Sequence, residues 1–128
     1  MKAYSVKRIG NLLLTRGAVH GPGGTKVIRL LVDTGSSYTI LPVEVLVAIG
    51  CDPATSRDYI RLITGNGVVV APRVSVEWVN VLGREMRPCT VVAHTIPVSQ
   101  FFDGLLGMDI LTHLQAQINV PQRLVKVA

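Results

Sequence analysis

The chain nowhere runs far without a glycine or a proline, and between these breaks it places short stretches rich in valine, isoleucine and threonine. Side chains branched at Cβ suit pleated strands, whereas glycine and proline interrupt regular elements and mark turns. That punctuation predicts a small all-β fold. "IGNLLLTRGAV" and "TKVIRLLVD" read as two strands around a loop at His20–Thr25, "HGPGGT". "YIRLIT", "GVVVAPRVSVEWVNVLG" and "REMRPCTVVAH" follow as strands, with turns at Gly65–Gly67 and at Leu82 and Gly83. "PVEVLVAIG" departs from the pattern: proline stands where a first helical turn tolerates it and Gly50 where a helix stops, so Pro42–Ile49 is predicted as a short helix. "DGLLGMDILTHL" reads as a glycine-bracketed apolar step into a second short helix, and "AQINVPQRLVKVA" as a terminal hairpin. No repeat or linker divides the chain. With 128 residues and 48% hydrophobic content, a single domain spanning 1–128 with its own core is expected.

Several function classes fit poorly. The net charge of +5 is dispersed, Lys7 and Arg8 being the one adjacent basic pair, and few aromatic residues are available to stack on bases. A nucleic-acid partner is therefore not expected. Cys51 and Cys89 form no CxxC pair and no histidines stand at metal spacing, so no metal and no cofactor are expected. A Cys51–Cys89 disulfide stays open, although reduced thiols in a cytoplasm fit better. The N-terminus has no sustained apolar segment, and no run is long enough to span a bilayer, so no membrane association is expected. His20 reads as a loop residue, His94 as a strand end and His113 as a helix surface position, none with a reactive partner. "GPGGTK" lacks the spacing and the following Ser/Thr of a phosphate loop and reads as a plain loop.

"LLVDTGSSYTILP", Leu30 to Pro42, sets a carboxylate at the end of an apolar run and follows it with small hydroxyl residues and a glycine. An ionised carboxylate beside a core is costly unless hydrogen bonds satisfy it. A tight Asp-Thr-Gly turn can fold backbone N–H groups back toward the Asp33 oxygens, and Gly35 permits that approach. The tripeptide alone reads equally well as an ordinary turn capping a strand.

Its company is more specific. "LVDTGSS", Leu31 to Ser37, resembles the active-site motif of the retropepsin-like, retroviral-type single-domain aspartic proteases, and "GLLGMDIL", Gly104 to Leu111, resembles the hydrophobic-hydrophobic-Gly element of the same family at Leu105, Leu106 and Gly107. Between them "ITGNGVVVAP", Ile63 to Pro72, is similar to the family's flap hairpin, and "INVPQRLVKV" to its terminal strands. The likeness runs from about Arg8 to the end. It implies an all-β closed barrel with one or two short helices, assembled as a symmetric homodimer.

The function implied is an aspartic endopeptidase acting on peptide substrates. The Asp-Thr-Gly motif occurs once, so the catalytic pair would be Asp33 from each of two protomers. The family also implies that Thr34 reaches across the dimer axis, that Gly35 makes the turn, and that Ser36 marks a cellular, bacterial-type member and donates to the carboxylate. Ile63, Thr64, Gly65, Asn66, Gly67 and Val68 would form the flap over substrate, with a mobile tip at Gly65–Gly67. No counterpart of a pepsin-type flap tyrosine can be placed, the nearest aromatic being Tyr59. Asp109 reads as a helix N-terminal charge rather than a second catalytic acid. The alternative is a catalytically silent dimeric module that binds a peptide or partner without cutting it.

Overall fold

The computed structural model describes residues 1–63, the backbone of Thr64, and residues 67–97 and 101–128. The expected tip residues Gly65 and Asn66 lie outside the described residues. In chain order the strands are β1 (Lys2–Ser5), β2 (Lys7–Ile9), β3 (Leu12–Gly21), β4 (Gly24–Val32) and β5 (Ile40–Leu41), followed by helix α1 (Val43–Ala48) and a 3-10 turn at Pro53–Thr55. There follow β6 (Tyr59–Thr64), β7 (Gly67–Val76), β8 (Trp78–Val81), β9 (Arg84–Met86), β10 (Cys89–Ala93), β11 (Gly104–Leu106), α2 (Met108–His113), β12 (Gln117–Asn119) and β13 (Leu124–Val127).

The large sheet has the order β6-β7-β10-β5-β11-β4-β3-β8-β9, with β2 added beside β3, and a second sheet has the order β1-β13-β12. The large sheet is curled, a half-barrel, and the reason lies in one stretch of chain. β7 and β8 are separated only by Glu77, yet β7 pairs with β10 while β8 pairs with β3. A single long stretch therefore bends to serve strands well apart in the sheet, and the Glu77 N–H donates to the His20 carbonyl at 2.9 Å within the bend. Strand alternation delivers the core: on β4, Ile28 and Leu30 are buried while Val27 and Arg29 face out. They meet Val19, Val79, Leu106, the helix residues Leu46 and Ile110, and Leu114 directly after α2. Each such aliphatic side chain contributes about 1.5–3 kcal/mol relative to exposure.

Helix α1 ends within a residue of its predicted limits, and Gly50 follows it with φ +80, a backbone state that an L side chain rarely adopts. The segment His20–Thr25 differs from expectation. It is strand almost throughout, with His20 paired to Thr25, Gly21 paired to Gly24, and only Pro22 and Gly23 in the turn. Its glycines serve close packing. A Cβ on Gly21 would lie 2.4 Å from the Ile49 carbonyl oxygen, and the Gly23 N–H donates to that same oxygen at 2.7 Å. The hairpin tip thus rests directly on the end of α1.

His20 is accordingly no loop residue, and it has partners. Its ring stacks on Trp78 with centroids 5.1 Å apart, Nδ1 lies 2.7 Å from Thr25 Oγ1, and Nε2 lies 3.2 Å from the Glu77 carboxylate. His113 is exposed in the last turn of α2 and His94 directly follows β10, as expected. The run "REMRPCTVVAH" divides into β9 and β10 around Pro88, which has no N–H to give a ladder. β1, β2 and β5 were not legible, being short or largely exposed and lacking apolar alternation. Cys51 and Cys89 are both free, and burial, with a smaller contribution from Asp109, pushes the Cys89 thiol up to about 11.

Replacing Gly21 with alanine forces its new methyl into the Ile49 carbonyl. Overpacking of this kind costs about 1–3 kcal/mol. Equilibrium urea unfolding of Gly21→Ala should show that loss with an unchanged m-value, and a variant as stable as the parent would contradict the packing described.

Candidate active site

The Asp33 loop is built at the end of β4, which lies between β3 and β11. β11 runs parallel to β4, with Gly104 opposite Leu30, Leu105 opposite Leu31 and Leu106 opposite Val32. The next donor, Asp33 N–H, continues this pairing to the Leu106 carbonyl at 3.0 Å. Two distant sequence segments are thereby aligned residue by residue. Asp33 itself is half-buried. The Gly35 N–H donates to Asp33 Oδ1 at 2.9 Å and the Ser36 N–H to the Asp33 carbonyl at 3.2 Å, closing the turn. A Cβ on Gly35 would stand 3.2 Å from Oδ1, so glycine keeps that approach open. Among the described residues Asp33 Oδ2 has no hydrogen-bond donor.

Ser36 departs from expectation. Its hydroxyl donates to the Tyr38 carbonyl at 2.7 Å, which uses its only proton and braces the loop instead of the Asp33 carboxylate. Thr34 is exposed at the loop's tip.

The loop is tied to α2 by a network that the sequence does not reveal. Thr39 is the one buried polar residue among those described, 1% exposed. Its hydroxyl donates to Asp109 Oδ1 at 2.7 Å and accepts from the Gly107 N–H at 3.1 Å, while its N–H donates to Asp109 Oδ2 at 3.0 Å. Asp109 Oδ1 also accepts from the Ile110 N–H at 2.8 Å, so the expected charge in the first turn of α2 is present and has a second task. Met108 and Asp109 N–H groups donate to the Ser36 and Ser37 carbonyls. Gly107 makes this contact possible, because a Cβ there would lie 2.4 Å from the Tyr38 carbonyl group. In the same element Leu106 is fully buried and Leu105 packs beside Ile40 in a second cluster.

A further clamp fixes the start of β11. The Arg29 N–H and guanidinium donate to the Asp103 carboxylate at 2.8 and 3.1 Å, and the Asp103 N–H returns a bond to the Arg29 carbonyl at 2.8 Å. Partial burial pushes the Asp103 pKa up, but the bonds from Arg29 and its charge outweigh this and leave it below the usual value.

Asp33 borders two hollows. One is a cleft of about 850 Å³ lined by Asp33, Ser36, Tyr38, Leu62, Ile63 and Val69, among others, so the β6–β7 hairpin forms its far wall. In that hairpin Ile63 pairs with Val68 and Thr64 with Gly67, and the Ile63 and Val68 side chains are 90% and 63% exposed. Tyr59 stands at the hairpin's base, too far along the strand to serve at its tip. The other hollow, about 500 Å³, is lined by Asp33 and Thr34 with Leu12, Leu13, Ile118 and Val120.

Two outcomes follow from these ties. Thr39→Val keeps the shape but strips the Gly107 N–H of its acceptor and Asp109 of a donor, which should cost about 1–3 kcal/mol in urea unfolding. A cost within error of zero would show the network to be idle. For Asp103, a pKa held low by the fold means stability that is present above the ordinary carboxylate range and lost as pH falls through the depressed value. The stability gap between the parent and Asp103→Asn should therefore shrink between about pH 7 and about pH 3, and a constant gap would contradict it.

Against known proteins, residues 16–110 match the sequence model of the aspartyl protease family. A retropepsin-like aspartic protease from Rickettsia conorii superposes with a TM-score of 0.72 at 21% identity, over 97% of this chain and 88% of that one. At this identity the likeness is one of fold. Among curated proteins none matches by sequence. The matched region contains both the Asp33 loop and the Leu105-Leu106-Gly107 step that the fold brings together, and the chain belongs to the aspartyl protease family and has a retropepsin-like fold.

Proposed function

We propose that the chain is an aspartic endopeptidase that works as a symmetric homodimer of closed β-lobes, with Asp33 from each protomer forming one catalytic pair. The observation that carries this reading is the position of Asp33 on the wall of two separate hollows. The larger cleft, walled by an apolar hairpin, suits an extended peptide. The second hollow, apolar and flanked by Thr34, suits the same loop of a partner, with Ile118 and Val120 from the terminal hairpin contributing to the contact. A chain with one Asp-Thr-Gly motif needs such a partner, because acid and base must be separate groups.

In the dimer two carboxylates held close share one proton and titrate as a pair. The ionised Asp33 takes a proton from a water, whose oxygen attacks the scissile carbonyl carbon. The protonated Asp33 of the pair donates to the carbonyl oxygen, giving a neutral tetrahedral diol. Collapse of the diol returns a proton to the leaving nitrogen and breaks the C–N bond. Gly35 N–H on Oδ1 fixes the carboxylate's orientation and leaves Oδ2 for this exchange. Thr34 at the exposed tip would lock the two loops across the axis. Ile63 to Val68 would close over substrate, the exposed aliphatic side chains of Ile63 and Val68 gaining cover from it.

Mixing experiments test the shared site. Asp33→Asn should fold and dimerise without detectable peptidase activity. Co-refolding parent chains with an excess of Asp33→Asn chains should place nearly every parent chain in a heterodimer with one carboxylate, and activity per parent chain should collapse. Activity per parent chain that stays flat across the series, with subunit exchange confirmed by mass, rules out the two-chain mechanism. A parent protein that binds peptide but never cleaves it rules out the peptidase.

A further inference from the structure

A third hollow, of about 710 Å³, shares no lining residue with the two at Asp33. Its position follows from a gap in strand pairing. Along one edge of β3, β2 pairs as far as Leu14, opposite Lys7, and β8 begins at Gly17, opposite Val81. Thr15 and Arg16 lie between, paired to β4 on their other side and, among the described residues, to no strand on this one. β2 pairs only with β3, so its outer edge also has no strand beside it among the described residues. Backbone donors and acceptors bordering such a gap are what an extended peptide can satisfy.

The side chains around the gap specify what kind of peptide. Leu14, Ile9, Leu82 and Phe101 supply an apolar surface, Leu14 and Leu82 being buried and Phe101 44% exposed. Lys7, Arg16 and Arg29 supply three cations. Arg16 and Arg29 stand directly opposite each other in the β3–β4 ladder, an arrangement that like charges disfavour. Asp103 compensates Arg29 alone, whereas neither Lys7 nor Arg16 has an ion-pair partner among the described residues. Two uncompensated cations beside an apolar floor call for a ligand carrying both carboxylates and apolar side chains.

We propose that this gap between β2 and β8 binds an extended peptide segment in which acidic and apolar residues alternate, its carboxylates meeting Lys7 and Arg16 and its apolar side chains covering Leu14, Leu82 and Phe101. The segment belongs to a separate polypeptide, and its docking does not require Asp33. That polypeptide is a partner protein, held apart from the cleft at Asp33, with which the gap shares no lining residue.

Binding can be read without cleavage in the Asp33→Asn protein, by fluorescence anisotropy of a short rhodamine-labelled peptide of alternating glutamate and leucine. The expected result is saturable binding that weakens with added salt and falls by about tenfold in a Lys7→Glu, Arg16→Glu double variant, both sites being exposed and unpaired. The peptide with glutamine in place of glutamate should bind as weakly as that variant allows. A circular dichroism melt establishes that the variant is folded, and Lys7→Gln, Arg16→Gln replaces it if it is not. Absence of binding, equal binding of the glutamine peptide, or binding unchanged by the charge substitutions overturns the proposal. So does a change in sedimentation mass of the variant, which would make this face a contact between copies of the chain.

Discussion

The arrangement of the Asp33 loop depends on one buried junction. Thr39, Gly107 and Asp109 join two segments some seventy residues apart through a hydroxyl, a carboxylate and three backbone N–H groups, every hydrogen of which has an acceptor. A buried polar group left unpaired would cost more than the bond it makes contributes, so the junction admits one arrangement and excludes displaced ones. The parallel β4–β11 ladder sets the register, the junction locks it, and Asp33 lies between the two fixed points. The strength of the site's geometry thus resides away from the carboxylate itself.

Close backbone approach is the recurring means by which so small a chain encloses its core. Gly107 lets the β11–α2 turn lie against Tyr38 and Thr39, and Gly21 and Gly23 let a hairpin tip meet the end of α1. The same economy appears in the β7–β8 stretch, which bends at Glu77 and serves two distant parts of one sheet. Curling the sheet in this way leaves concavities along its rim and at its strand gaps. Asp33 borders two of them, and the proposed peptide groove occupies the gap beside β3.

The position of Asp33 separates two requirements that one carboxylate must meet. It must reach a substrate on one side and, as proposed, a second copy of itself on the other. A half-buried group at the end of an internal strand, with one oxygen held by Gly35 N–H and the other without a donor among the described residues, is suited to both. Full burial would disfavour its charge, and full exposure would leave it unoriented.

By itself the sequence determined the all-β class, the helix at Pro42–Ile49, the turn at Leu82–Gly83, the apolar step into a second short helix, and the ordered occurrence of an Asp-Thr-Gly motif and a Leu-Leu-Gly step. These are local signals: side-chain branching, proline and glycine placement, and ordered short motifs act over a few residues. What only tertiary structure decided involves groups far apart in the chain. Thr39 reads as one more loop hydroxyl until Asp109 is placed beside it, and the Ser36 hydroxyl finds its acceptor in the Tyr38 carbonyl only once the loop has curled. The glycines of His20–Thr25 read as a loop because the α1 end against which they pack is distant in sequence. Likewise β1 and β2 lack alternation because they lie at sheet margins, where exposure removes the pattern and hydrogen bonding to β13 and β3 makes them strands. Backbone pairing and close approach are indifferent to side-chain hydrophobicity, and for that reason they are written into the fold more plainly than into the residues.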